Sequence, residues 1–112
     1  MKDITSKDFN ERDFKQIEKV FKAFCDESRL QILSSLQEGE KCGCTLLEEV
    51  PVAQSTLSHH MKILLESGVV ESRKEGKWTY YRLSDEGSLQ AKGLLEKMLK
   101  KKQPYQTYKV CN

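Results

Sequence analysis

The feature that most constrains this chain is an apolar stripe at helical spacing that ends at a glycine and passes directly into a hairpin pattern. In residues 54 to 83, QSTLSHHMKILLESGVVESRKEGKWTYYRL, the side chains Leu57, Met61, Leu64 and Leu65 recur at i, i+4, i+7 and i+8. That spacing predicts a helix with one buried face. The opposite face carries Gln54, Ser55, Thr56, Ser58, His59 and Lys62, a run of short donors and acceptors with one cation. Gly68 stands where a helix C-cap glycine stands. Beyond it, Val69 to Arg73 and Lys77 to Leu83 flank Lys74-Glu75-Gly76, which predicts a hairpin with basic residues near its tip. A polar helix face beside a basic hairpin suits base readout in a DNA groove, with Lys62, Arg73, Lys74 and Lys77 holding phosphates. A solvated hairpin tip would account for the wing cations as well. His60 is expected to turn toward the core while His59 faces outward. On the second strand, Tyr81 and Leu83 are read as core.

The flanking elements follow from the same periodicity. Phe14, Ile17, Phe21 and Phe24 mark an amphipathic helix over residues 11 to 25. Asp26 is a candidate N-cap for a second helix, with the stripe Leu30, Leu33 and Leu36 and an end at Gly39. Thr45-Leu46-Leu47-Glu48 fits a capping box, and Pro51 closes that short third helix. Pro51, Val52 and Ala53 then lead into the helix of residues 54 to 67. Short helix, three-residue turn, longer helix is the helix-turn-helix arrangement, here over residues 45 to 67. After the wing (69–83), Ser84 or Asp85 opens a last helix to residue 102 with the stripe Ala91, Leu94, Leu95, Met98 and Leu99. The expected fold is therefore mainly α with a β-hairpin wing, α+β, a winged helix-turn-helix in the order ααααββα. The stripes of the first and last helices either pack within one subunit or, as favoured here, form a two-fold homodimer interface. Lys100-Lys101-Lys102 reads as a solvated helix end, and residues 103–112 as a flexible tail.

With 112 residues the chain suffices for one domain, residues 1–112. Net charge is only +2, but its distribution is uneven. Residues 1 to 53 hold eight basic and eleven acidic groups, residues 54 to 83 five and three, and residues 84 to 112 six and three. The cationic surplus begins where the proposed reading unit begins. No apolar run is long enough to span a membrane or to serve as a signal segment, so the expected location is the cytoplasm, with no membrane partner. In that setting the four cysteines stay reduced, and a close pair more often serves metal or redox chemistry.

Three blocks of the chain resemble the ArsR/SmtB family of metal- and metalloid-responsive repressors. They are Ala23-Phe24-Cys25-Asp26-Glu27-Ser28-Arg29-Leu30-Gln31-Ile32-Leu33, then Cys42-Gly43-Cys44-Thr45-Leu46, then Gln54 to Leu83. The resemblance spans roughly residues 20 to 84 without a gap. Its middle block is similar to the family's Cys-x-Cys-Asp-Leu metal box, with Thr45 in the Asp place. The resemblance implies a dimer that sits on double-stranded operator DNA and leaves when an inducer binds. The chain departs from the family in four places. No His follows His60, so the zinc branch's last-helix ligands are missing. Residues 1 to 24 hold no Cys, Leu47 stands where the arsenic branch often has a third Cys, and Ala53 replaces the usual Ser cap.

Cys42 and Cys44 are two apart, a spacing that inside a helix points side chains to nearly opposite sides. Ahead of a Thr45 cap, with Gly43 between them, both sulfurs can converge beside the positive end of a helix dipole, which favours thiolate. Soft thiolates suit As(III), Sb(III), Cd(II), Pb(II) or Zn(II) as an inducer rather than an obligatory cofactor. The alternative is a pair of small buried residues. As(III) prefers three thiolates, and Cys111 on the tail is the leading candidate for the third, from the same or the partner subunit. Cys25 is the lesser candidate, at a position where a small buried residue suffices. A Cys/His nucleophilic site lacks a positioned acid and an oxyanion element, so no enzyme is expected. Two alternatives stay open. One is a repressor of the same fold that senses oxidation or persulfidation, through Cys44 with Cys111 for example. The other is a small thiol- or metal-handling protein with no operator.

Overall fold

The computed structural model describes residues 10–102 and residue 107. Helix α1 (Glu11–Lys22) opens on a reciprocal capping box. The Asn10 side chain accepts from the Asp13 amide, and the Asp13 carboxylate accepts from the Asn10 amide, each at 3.1 Å. Helix α2 (Glu27–Leu36) is capped by Asp26 as expected, through the Arg29 amide at 3.2 Å. Strand β1 (Lys41–Cys42), helix α3 (Gly43–Glu49) and helix α4 (Gln54–Ser67) follow, then β2 (Val70–Glu75), β3 (Trp78–Leu83) and α5 (Asp85–Leu99).

The winged helix is present, with an extra strand. The order is α1 α2 β1 α3 α4 β2 β3 α5 rather than ααααββα. The sheet is antiparallel in the order β1-β3-β2, with Lys41 opposite Tyr81 and Cys42 opposite Tyr80. In the wing, the pairing runs from Val70 opposite Leu83 to Glu75 opposite Trp78. That leaves a two-residue turn, Gly76-Lys77, with Gly76 at φ 63°, a conformation a hairpin turn takes readily only with glycine. Lys74 and Glu75, expected in the loop, are therefore strand residues.

The core gathers Ile17 and Val20 of α1, Ile32 and Leu36 of α2, Leu46 of α3, Leu57, Met61 and Leu64 of α4, Val69 and Val70, and Ala91 and Leu94 of α5. Tyr81 and Leu83 pack against it as expected. Two stripes need correction. In α2 the buried face is Arg29, Ile32 and Leu36, while Leu30 is 49% exposed. In α1 and α5 only half of each stripe serves the subunit, leaving Phe14, Phe24, Leu95, Met98 and Leu99 exposed. These helices also end at Lys22 and Leu99, earlier than residues 25 and 102.

The joint between α4 and α5 is backbone against backbone. Gly68 closes α4 in the left-handed conformation at φ 85°, and its amide bonds the Leu65 carbonyl. Gly87, in the first turn of α5, lies flush on the Gly68 carbonyl: a Cβ there would stand 1.7 Å from that oxygen. Ser84 caps α5 through the Gly87 amide, and its own amide bonds Val69 O. No helix among the described residues is long and apolar enough to cross a membrane.

Candidate nucleic-acid interface and cysteine site

Helix α4 divides as its periodicity requires. Leu57, His60, Met61, Leu64 and Ser67 are buried, while Gln54, Ser55, Thr56, Ser58, His59 and Lys62 are all exposed on the other side. Its N-cap, Ala53, makes no side-chain bond, so the first-turn amides have no capping acceptor from that residue.

The buried His60 anchors this helix. Arg29 Nη1 lies 2.9 Å from His60 Nδ1, and Arg29 Nε and Nη2 donate to the Lys22 carbonyl at 3.3 and 3.1 Å. A guanidinium only donates, so Nδ1 must accept and the imidazole proton belongs on Nε2. Nε2 faces Asp26 Oδ2 at 3.6 Å. Burial pushes the Asp26 carboxyl up, but the Arg29 amide bond and nearby positive charge outweigh it and hold the group below its ordinary range. The end of α1, the start of α2 and the middle of α4 are thus tied by one buried cluster. Its signal in the sequence is a charged residue, Arg29, in register with Ile32 and Leu36 at i, i+3 and i+7.

In the wing, Lys74 and Lys77 are exposed, and Lys77 Nζ stands 5.5 Å from the Trp78 ring centroid. Arg73 is already engaged. Its Nε bonds both oxygens of Glu40 at 3.1 Å, its Nη2 reaches Glu40 Oε1 at 2.7 Å, and its Nη1 reaches Glu75 at 2.9 Å. The guanidinium also stacks on Tyr80, 4.7 Å from the ring centroid. The hydrogen bond from Arg73 holds the Glu40 carboxyl below its usual range. Arg73 therefore braces the wing to the turn before β1, and its expected role as a free phosphate-holding cation needs revision.

Cys42 occupies a junction. It pairs with Tyr80 in the sheet and is also the N-cap of α3, its sulfur facing the Thr45 amide and the Thr45 hydroxyl, each at 3.4 Å. The capping box expected at Thr45 is thus displaced: sheet pairing holds the chain extended through Cys42, so the helix begins there and Thr45 lies inside its first turn. Lys41 fastens the strand on the other side, bonding Glu38 at 2.5 Å and Ser35 and Glu49 at 2.8 Å. The Glu38 and Glu49 bonds push the Lys41 ammonium above its ordinary range, and Lys41 in turn holds Glu49 below its own.

The sulfurs of Cys42 and Cys44 do converge, and in this structure they are joined as a disulfide, with Cα atoms 5.3 Å apart. Thiolate chemistry at this pair therefore requires prior reduction. The expected third ligand, Cys111, lies outside the described residues. Cys25, expected as a small buried residue, is an exposed free thiol that donates to Phe21 O at 3.4 Å. It lines an apolar groove of about 510 Å³ with Phe21, Phe24, Leu33 and Leu95. Among the described residues no group of three His, Cys, Asp or Glu side chains is arranged to hold a metal ion. Cys44 instead borders a cleft of about 310 Å³ between α3, α4 and β3, whose walls include Leu47, Leu57, Met61, Trp78 and Tyr81.

Comparison with known proteins agrees with this architecture. Residues 26–72 match the family model described as "Bacterial regulatory protein, arsR family". The chain is 42% identical over 86 residues to the arsenical resistance operon repressor of Bacillus subtilis (strain 168), covering 76% of this chain and 79% of that one. It is 39% identical over 92 residues to a cadmium resistance transcriptional regulatory protein CadC homolog of Staphylococcus aureus, covering 81% and 74%. The crystal structure of a possible transcriptional regulator for arsenical resistance superposes with a TM-score of 0.66 at 28% identity, over 75% of this chain and 86% of that one. The chain is a member of the ArsR family of bacterial transcriptional regulators, and its winged helix is the fold of that family's solved structures.

Proposed function

We propose that this chain is a homodimeric repressor that binds double-stranded operator DNA and is released when a soft metal or metalloid ion binds the thiolates of Cys42 and Cys44. As(III) or Sb(III), and Cd(II) or Pb(II), are the matched inducers. Gln54, Ser55, Thr56, Ser58 and His59 read bases, while Lys62, Lys74 and Lys77 hold phosphates. The carrying observation is the position of Cys42, which belongs at once to the sheet that bears the wing and to the first turn of the helix preceding α4. A ligand that draws its sulfur away from Thr45 acts on both DNA-facing elements. Release then follows only if the ligand binds the DNA-incompetent state more tightly. The exposed apolar halves of α1 and α5, Phe14 and Phe24 with Leu95, Met98 and Leu99, support dimerisation through the first and last helices.

The test is the double variant Cys42→Ser/Cys44→Ser in a fluorescence anisotropy titration against DNA from upstream of its own coding region. Serine caps helices well, so α3 keeps its start and operator affinity is retained. Release by As(III) or Cd(II) is abolished. A double variant that releases as the wild type does overturns the reading.

The disulfide favours a second reading on the same fold, in which the input is an oxidant. It joins Cys42 to Cys44 rather than Cys44 to Cys111. Operator release by peroxide alone, reversed by a reductant and insensitive to added As(III), would support it.

A further inference from the structure

We infer that the inducer best matched to this site is a monosubstituted trivalent organoarsenical, held by Cys42 and Cys44 through arsenic with its organic group in the cleft beside Cys44. The inference rests on reading the two cysteines as the inducer site. Trivalent arsenic makes three bonds. Arsenite therefore needs three sulfurs to be fully satisfied by thiolates, whereas an arsenical that already carries one carbon needs two. The described residues offer two: Cys42 and Cys44 reach each other, and the free Cys25 lines a different groove, against α5. Leu47, one turn beyond Cys44 on the same helix face, places an isobutyl group where a third sulfur would stand.

The second observation is the cleft itself. It opens directly beside Cys44, holds about 310 Å³, and is walled by Leu47, Leu57, Met61, Trp78 and Tyr81. Aromatic faces and a flexible thioether make it a receptor for a methyl or phenyl group rather than for a hydrated ion. Gln54 and Ser58, from the exposed face of α4, stand at the same cleft. An occupant would thus be wedged between the DNA-reading helix and the base of the wing, which links binding to release.

The chemistry balances without a change of oxidation state at arsenic. A phosphine first opens the disulfide, with water supplying the oxygen of the phosphine oxide and one proton to each sulfur. The organoarsonous acid then exchanges two As–O bonds for two As–S bonds. Each thiol proton leaves with an arsenic hydroxide as water.

The experiment uses the full chain, reduced with a phosphine that is then removed. Quenching of Trp78, the single tryptophan, is followed on titration with phenylarsonous acid, methylarsonous acid, arsenite and Cd(II). Half-saturation by phenylarsonous acid is expected at a concentration at least about tenfold below that of arsenite, about 1.4 kcal/mol. Leu47→Cys supplies a third sulfur and should tighten arsenite by about tenfold or more. Thr79→Phe adds a ring to the cleft wall and should weaken phenylarsonous acid by about tenfold while leaving Cd(II) unchanged, which also shows that the variant is folded. Arsenite binding as tightly as phenylarsonous acid, or a Thr79→Phe chain that keeps full phenyl affinity, overturns the inference. If arsenite and Cd(II) bind equally well and the double serine variant loses both, only the organoarsenical assignment falls. If the double variant binds every probe like the wild type, the cysteine site falls as well.

Discussion

Two glycines on α5 should respond to alanine in opposite directions. At Gly87 the new methyl would stand 1.7 Å from the Gly68 carbonyl oxygen and 2.6 Å from its carbon, where real Cβ contacts are essentially never under 3.0 Å. The two segments must therefore separate by about 1.3 Å. The atom met is backbone and is held on both sides, by the Gly68 amide bond to Leu65 and the Ser84 amide bond to Val69. Separation lifts Ala91 and Leu94 from the core. Such overpacking costs about 3 kcal/mol at the upper end of its usual range. Alanine recovers about 1 kcal/mol of that through helix propensity. The steric term wins, and Gly87→Ala should be destabilised by about 2 kcal/mol, or about 10 °C in melting temperature for a domain of this size. At Gly93 an added Cβ meets nothing within 4 Å, so only the propensity term remains and Gly93→Ala should gain about 0.5–1 kcal/mol. Urea unfolding followed by circular dichroism at 222 nm reads both. A Gly87→Ala chain as stable as the wild type would show that α5 is not seated on the Gly68 carbonyl, and the described joint would be wrong.

Ala53→Ser gives α4 the side-chain acceptor it lacks and should raise stability by about 1 kcal/mol, measured in the same urea assay. Arg29→Met strands His60 Nδ1 and the Lys22 carbonyl, so a loss of about 2–3 kcal/mol is expected; an unchanged urea midpoint would show that the cluster contributes little. Glu40 and Glu49 have folded pKa values below their unfolded ones, so the stability they contribute is present at neutral pH and is lost as pH falls through their folded values, below the ordinary carboxylate range. Urea midpoints should accordingly decline on acidification from pH 5 to 3, and less steeply in the double variant Glu40→Gln/Glu49→Gln. On DNA, Lys74→Ala and Lys77→Ala should each reduce the slope of log affinity against log salt by about one, while Arg73→Ala leaves it nearly unchanged because Glu40 and Glu75 already neutralise that guanidinium.

What could be read in advance was what periodicity and local caps control. The α4 stripe, the Gly68 stop, the Asp26 cap and the alternation that buries Tyr81 beneath an exposed Trp78 all rest on neighbours a few residues apart. Strand β1 was not legible because two residues carry no period, and its partners Tyr80 and Tyr81 lie nearly forty positions on. Missing that strand also misplaced the cap of α3: Thr45-x-x-Glu48 is a sound local signal, but long-range pairing extends the chain up to Cys42 and starts the helix there. The α2 stripe failed for a related reason. Leu30, Leu33 and Leu36 look apolar enough, yet the core prefers the face on which Arg29 can meet His60, and that exchange is visible only once α4 is in place. At the cysteine site the convergence of two sulfurs was foreseeable from Gly43 between them. The adjoining cleft was not, since α3, α4 and β3 each supply part of its wall.

The central claim is that one event at Cys42 and Cys44 frees the DNA, and a single titration tests it. Reduced protein bound to fluorescent DNA from upstream of its coding region is titrated with Cd(II), with anisotropy and ultraviolet sulfur-to-metal absorption recorded on the same sample. The account predicts that absorption grows and anisotropy falls together, saturating at the same equivalent. DNA that leaves before any thiolate absorption appears, or stays bound after that absorption saturates, would contradict it.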